Sequence, residues 1–327
     1  MNFTLNFLPT TFAVCRLDPD APLPEDAVSR QRRQISCAAE ADSACGARNP
    51  NDSAASQSQS FFKTVNRVLK EQDAVTPLAE QERFVEAVLR AIRQREVFSK
   101  HWSRITAHDD IIALIHDAQA SGDIDEAIWR SFLAAHFGRP SARGDKQIQS
   151  ASRFLCAFLK EPFWTWKRVS KHPEALHEWL FECADDLATL AFGNHRKYES
   201  QKPDSIWTVI ESFVSLANEY GSPMGLMAVD EDEPIDEFDI LYRRLRPLKQ
   251  FGRTGRFDFL ILLLDLGLVS AEPRSCYLRG ATGPLKGAKK LWGERSPKEL
   301  DELAADISER LDVSPIVMED ALCNWQK

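Results

Sequence analysis

From Phe61 onward the apolar positions recur with the period of a helix. Phe61, Val65, Val68 and Leu69 fall at i, i+4, i+7 and i+8, and Phe84, Val88, Ala91 and Ile92 repeat the spacing, which lays one apolar stripe along each segment. The same pattern predicts helices over 111–118, 125–137, 148–159, 173–192, 205–220, 236–250, 256–268, 283–292, 297–311 and 315–325. Gly138 and Pro140 punctuate the end of one of them, and Pro284, Pro297 and Pro315 suit the first turns of three others. Strand-type alternation is nearly absent after residue 60, and no internal repeat is visible. The expectation is an all-α fold of two helical lobes, about 61–140 and 145–327, separated by the polar break Ser141 to Lys146 and enclosing a cleft.

The first 60 residues read differently. Over 1–28, Phe3, Leu5, Phe7, Phe12 and Val14 alternate loosely before Pro19, Pro22 and Pro24, the pattern of a short extended or β segment. Over 29–60 the chain turns to Ser, Ala, Gln, Asn and Arg with almost no large apolar residue. Such a stretch buries too little surface to offset its ordering entropy and reads as a disordered linker.

Composition narrows the function classes. The 327 residues are 43% hydrophobic, enough for a sizeable core. The longest apolar run, 257–268, contains Asp258 and Asp265 and falls short of the roughly 20 residues of a membrane helix. With no secretory pattern at the start and seven cysteines in no framework spacing, the expected location is cytoplasmic. A net charge of −8 argues against indiscriminate coating of nucleic acid and leaves room for a local basic face. HExxH, CxxC, GxSxG and GxxxxGK[ST] motifs are missing, as is a clustered set of four cysteines, so neither a metal nor a cofactor is expected. The acidic run from Asp230 to Asp239, interrupted by Pro234, reads as a solvated loop.

Four segments carry candidate chemistry. In LYRRLRPLKQFGRTGRFDFL, Arg243, Arg244, Arg246, Lys249, Arg253 and Arg256 crowd the turn at Gly252. Guanidinium forks match phosphate oxygens, so this is a candidate anion site; the alternative is a solvated basic helix face. In CYLRGATGPLKGAKKLWG, Gly280 and Gly283 bracket a tight loop before a helix that Pro284 opens, and Gly287 with Ala288 offers a small face to a neighbouring helix. Free N–H groups at that helix start, with Arg274, Arg279, Lys286, Lys289 and Lys290 nearby, suit a DNA phosphate. After the 256–268 helix this gives the outline of a helix-hairpin-helix backbone grip, though two residues separate the glycines where that hairpin has one; a plain Gly-Pro helix start is the alternative. The last helix carries adjacent Glu319 and Asp320, about 100° apart around the axis, so that only one faces a cleft. Two surface acids are the plainer reading. The loop GNHRKYES offers Asn194, His195, Arg196, Lys197 and Tyr198 for a base or a phosphate, whereas the aromatics of FWTWKR, 163–168, read as core.

Together FGRTGRFDFLILLLDLGL, YLRGATGPLKGAKKLW, EDALCNWQK and GNHRKYES, in that family's order, closely resemble the alpha-glutamyl/putrescinyl thymine pyrophosphorylase family, and its clade 3 in particular, over roughly 61–327. The resemblance implies the helix-hairpin-helix DNA-glycosylase-like fold and a part in thymine hypermodification, known from bacteriophages and some bacterial genomes. An amine, either an amino acid or a polyamine, would displace pyrophosphate from pyrophosphorylated 5-hydroxymethyluracil in duplex DNA. On that footing Arg253 and Arg256 hold the leaving pyrophosphate, with Arg243 and Arg244 secondary; Gly280, Gly283, Lys286 and Gly287 grip the backbone. Asp320 is the catalytic carboxylate, with Asp258 and Asp312 as alternative acids, and His195, Arg196 and Tyr198 line the base or amine pocket. Two other functions stay open: a base-excising DNA glycosylase and a non-catalytic helical DNA-binding protein.

Overall fold

The computed structural model describes residues 50–102, 110–138, 146–160, 162–193, 201–229 and 237–327. The expected N-terminal strand segment and most of the linker lie outside the described residues. The chain divides into two units, 1–58 and 59–327. Among the described residues there are fifteen α-helices, one 3-10 turn and no strand, so the fold is all-α.

Helix α1 spans Pro50–Glu71. The last eleven residues of the expected linker, 50–60, are therefore helical. Once the amphipathic stretch from Phe61 to Leu69 is anchored, each further residue adds one hydrogen bond at little cost, and Ala and Gln with Pro50 in the first turn let the helix run back. Helix α2 spans Leu78–Trp102. Beyond it come α3 Ile111–Ala120, α4 Ile124–Phe137 and α5 Lys146–Leu155, then the 3-10 turn Ala157–Leu159. The short α6 Trp166–Lys171, α7 Pro173–Glu182 and α8 Ala184–Leu187 follow, then α9 Pro203–Glu219 and α10 Pro223–Met227. The C-terminal set is α11 Glu237–Arg244, α12 Arg253–Asp265, α13 Gly283–Trp292, α14 Pro297–Arg310 and α15 Pro315–Trp325.

Two helices organise the larger core. Asp123 caps α4 by accepting from the Glu126 amide at 3.1 Å, and Gly138 ends it at φ 111°. Between those stops nearly every residue of α4 is buried, and α12 packs along it with Phe257, Phe259, Leu260, Ile261, Leu262 and Leu263 buried. Phe132 of α4 stacks on Phe213 of α9 at 4.0 Å between ring centroids and meets Phe259 of α12 edge-on. Trp129 donates from Nε1 to the Trp164 carbonyl at 2.7 Å. Trp164 is fully buried, as expected of the FWTWKR aromatics, while Phe163 is 39% exposed.

The core does not divide at 140–145. One cluster of buried residues runs from Ile111 to Ala271 and includes Ile316; the other joins Val65–Ala91 to Cys276–Trp325. The first two helices thus close against the last three, and α15 packs on both α2 and α13. Gln72, at the end of α1, fastens this second cluster. Its Nε2 donates to the Leu303 carbonyl at 3.0 Å and to Asp306 at 2.8 Å, while its Oε1 accepts from Trp292 Nε1 at 3.0 Å. Arg95 of α2 reaches the other cluster through a two-point ion pair with Asp265 at the end of α12, Nη1 lying 2.6 Å from Oδ2.

Gly287 sets the approach of α13 to α15. A Cβ there would lie 2.2 Å from the Leu322 carbonyl oxygen and 2.8 Å from its carbon. The obstruction is backbone, which cannot step aside as a side chain does. Gly287→Ala is expected to cost about 3 kcal/mol, the upper end of overpacking penalties, read as a lower urea midpoint at unchanged slope.

Candidate functional site

A cavity of about 650 Å³ opens where the two clusters meet. It is lined by Asp239 and Tyr242 of α11, Arg246 just after it, Arg256 of α12, Arg274, Ser275, Tyr277 and Arg279 of the α12–α13 connection, and Asp301 of α14. Four guanidinium groups therefore share one cavity with two phenols and two carboxylates. Chain order scatters these residues over more than sixty positions; the helix packing brings them together.

Local chemistry fixes each wall. Arg256 lies over the Tyr242 ring, 4.3 Å from its centroid, and donates to the Tyr242 carbonyl at 3.3 Å. Burial pushes the Arg256 guanidinium below its ordinary value and the Tyr242 phenol above its own. Tyr277 packs its ring 4.5 Å from that of Tyr242 and sits at φ 51°, in the left-handed region that a bulky side chain enters only when held there. What holds it is Arg253. Its Nε donates to the Tyr277 carbonyl at 2.9 Å, its Nη2 to the Cys276 carbonyl, and its Nη1 to Glu319 Oε1 at 2.6 Å. Arg253 and Glu319 are both buried, at 8% exposure each. Thus Arg253 spends its whole fork inside the protein, behind the cavity wall rather than in the cavity.

Glu319 is the most strongly perturbed of the carboxyls around this centre. Burial pushes it up to about 7, with Asp320 and Asp258 pushing the same way and Arg253 pulling back. The unfolded chain releases this proton near pH 4.5, and the folded chain holds it until about 7. The stabilising contribution is therefore complete below pH 4.5 and lost as pH rises to about 7. Glu319→Gln, which keeps an acceptor for Arg253, is expected to remove that dependence. Urea melts at pH 5 and pH 8 should show wild type losing on the order of 3 kcal/mol relative to the variant across this range.

The other sequence candidates are distributed around this centre. Arg243 pairs with Asp239 at 2.8 Å and leaves its head outside the cavity. Arg244 donates to the Leu226 carbonyl at 3.2 Å and to the Ala228 carbonyl, and faces the Tyr220 ring, so it binds α10 to α11. Gly280, at φ +80°, makes the turn beside Arg253, its hypothetical Cβ 3.8 Å from the Arg253 Cβ. At Gly283 a Cβ would meet Cys323 Sγ at 2.7 Å, so this glycine, like Gly287, lets α13 lie close to α15. Lys286 is exposed on α13. Asp320 is half-buried beside Glu319; Asp258 is half-buried on α12, and Asp312, exposed after α14, sits at φ 52°. His195, Arg196 and Tyr198 lie outside the described residues. The connection between α12 and α13 runs from 266 to 282, close to the 269–282 left between the two predicted helices, and Gly280 turns the chain just before Gly283 opens α13.

Comparison with protein families decides the membership. The model of the alpha-glutamyl/putrescinyl thymine pyrophosphorylase clade 3 family matches residues 79–327. The chain belongs to that family. The match takes in every residue of the cavity and the Arg253–Glu319 pair behind it. The name of the pyrophosphorylase family indicates an enzyme acting on thymine. No curated protein and no solved structure matches the chain. Among the described residues, no helix is long and apolar enough to cross a membrane.

Sequence reasoning had Arg256 at the centre, and Arg246, Arg274 and Arg279 within its basic segments. It passed over Tyr242 and Tyr277, which stand inside those same segments, and Asp239 at the end of the acidic run, and it missed Ser275 and Asp301, which carry no local motif. It also chose Asp320 from the C-terminal pair, whereas the carboxylate tied to Arg253 is Glu319.

Proposed function

We propose that this pyrophosphorylase-family protein displaces pyrophosphate from pyrophosphorylated 5-hydroxymethyluracil in duplex DNA, using an amino acid or polyamine as the incoming amine. The observation that carries the reading is the convergence of Arg246, Arg256, Arg274 and Arg279 on one cavity. A departing pyrophosphate gathers negative charge on several oxygens, and guanidinium forks aimed at that charge stabilise it more than they stabilise the bound ester. Tyr242 and Tyr277 add aromatic faces on which an extruded base can stack. Arg253 acts here as a positioning residue for the Cys276–Tyr277 wall, and Arg256 as a direct ligand. Lys286 and the start of α13 offer a backbone grip next to Gly280 and Gly283. Because the chain as a whole is acidic, at −8, that grip is confined to one face.

The test is incubation of the purified protein with duplex DNA carrying the pyrophosphorylated base and a mixture of amino acids and polyamines, followed by nucleoside mass spectrometry. The expected product is an amine-substituted thymine analogue, with one pyrophosphate released per adduct. A free base and an abasic site would instead establish excision, and DNA binding without any product would leave a binding protein.

A further inference from the structure

We propose, on the footing of that reading, that Asp301 is the base that takes a proton from the incoming amine inside the arginine-lined cavity. The cavity holds two carboxylates, and they differ in what occupies them. Asp239 is engaged by Arg243 at 2.8 Å and by the Tyr277 hydroxyl at 3.4 Å. Glu319 is turned away, paired with Arg253 behind the wall. Asp301 accepts from the Ser275 hydroxyl at 3.1 Å on Oδ2 only. Its Oδ1 is buried, and the Cys276 and Leu278 amides also hold the carboxylate, so its hydrogen-bond donors are neutral groups, whereas Asp239 is held by a cation. A carboxylate held by neutral donors can take a proton without first giving up a cation, which Asp239 would have to do.

The surroundings also suit the chemistry. Burial pushes the Asp301 carboxyl up, while Ser275, the two amides and Arg253 pull it back. The result is a carboxylate more basic than one in water. The step then balances. An alkylammonium gives one proton to Asp301 and becomes a neutral amine. Its lone pair forms the C–N bond at the exocyclic methylene, and the C–O bond to pyrophosphate breaks. That electron pair leaves with the pyrophosphate into the arginine cluster, and the product departs as a secondary ammonium. Nucleophile and leaving group meet in one cavity, proton-accepting at α14 and anion-accepting just after α11, on α12 and in the connection after α12.

The experiment compares putrescine, protonated at neutral pH, with methoxyamine, already neutral there, on the DNA substrate above. Asp301→Asn is expected to lower transfer from putrescine about a hundredfold while methoxyamine transfer stays within about threefold and inorganic pyrophosphate still binds. Putrescine transfer within about threefold of wild type overturns the proposal, as does an equal fall for both nucleophiles in a variant that still binds pyrophosphate. Should Asp301→Asn lose pyrophosphate binding altogether, Ser275→Ala decides. By withdrawing the hydrogen bond that helps keep Asp301 ionised, it is expected to lower the ratio of putrescine to methoxyamine transfer several-fold, and an unchanged ratio overturns the proposal. Wild-type protein inert toward both amines sinks the transfer reading itself, and Asp301 as base with it.

Discussion

Arg253→Ala is expected to be the most damaging single substitution to stability, at about 3–5 kcal/mol, the usual cost of breaking a buried ion pair from one side. Three acceptors lose their donor at once: Glu319 Oε1 and the carbonyls of Cys276 and Tyr277. The loss should deepen with pH. Arg253 is the main influence pulling the Glu319 carboxyl down, so without it the carboxyl rises above its present value of about 7. The variant then keeps Glu319 protonated through pH values at which wild type has an ionised, paired group, and the gap between them widens as pH climbs past 7. Urea melts of both proteins at pH 6 and pH 8.5 measure this directly. Equal losses at the two pH values would show that the pair contributes through packing alone. Arg253→Lys should recover little, since one ammonium cannot serve three acceptors arranged around a planar fork. Arg253→Met combined with Glu319→Leu should recover more than either single change, because it removes both charges together.

The pair also links stability to the site. Tyr277 adopts its left-handed backbone while its carbonyl is held by Arg253, and its ring forms one wall of the cavity. A change at Arg253 therefore disturbs ligand binding from a distance, through Tyr277, with no need for the guanidinium itself to touch a phosphate.

Much of this was legible in the chain. Helices α13 and α15 occupy the predicted 283–292 and 315–325 residue for residue, because Pro284 and Pro315 mark the starts, Ser314 caps α15, and Gly293 stops α13 at φ 83°. The capping box of Ser296 and Glu299 places the start of α14 equally well. Elsewhere periodicity overran its punctuation. The predicted helix 236–250 ends at Arg244, and Pro247 was a sufficient reason, since it lacks an N–H and bars helical geometry to the residue before it. The predicted 173–192 breaks into α7 and α8, then leaves the helical form with Leu190 still buried, so an apolar pattern persisted where the backbone did not.

The misplaced lobe boundary has a different origin. Local periodicity carries no information about which stripes meet, and here Val65 and Leu69 join a cluster with residues more than two hundred positions away. Arg253 and Glu319 were legible in part. Arg253 shares a helical stripe with Phe257, Leu260 and Ile261, all buried, which is a poor address for an anion ligand. Glu319 lies one turn from Ile316 and Leu322, the more apolar side of α15. Asp301 and Tyr277 had no such signal, since their role depends on a cavity that only the assembled fold creates.

Removing two arginines from that cavity should have the largest effect on ligand binding. Arg256→Ala with Arg279→Ala is expected to weaken inorganic pyrophosphate binding by about a thousandfold, since each charge-assisted hydrogen-bonded pair is worth roughly 2 kcal/mol. The two sit on different elements, α12 and the connection before α13, so neither supports the other's backbone. Arg279 is exposed and should cost little in stability; Arg256, half-buried over Tyr242, will cost more, and a melt must accompany the titration. Arg243→Ala is the matched control. It is a neighbouring cation of the same basic segment, but it does not line the cavity and is already paired with Asp239, and its removal should change pyrophosphate affinity by less than about threefold. Calorimetry at fixed low salt measures all three, because screening at higher ionic strength weakens the attraction of the exposed Arg279 first. If Arg243→Ala proves as costly as the double variant, affinity comes from the summed positive field of the segment. If only the double variant fails, it comes from guanidinium forks fixed in the cavity, which is what a leaving group that must be caught in one orientation requires.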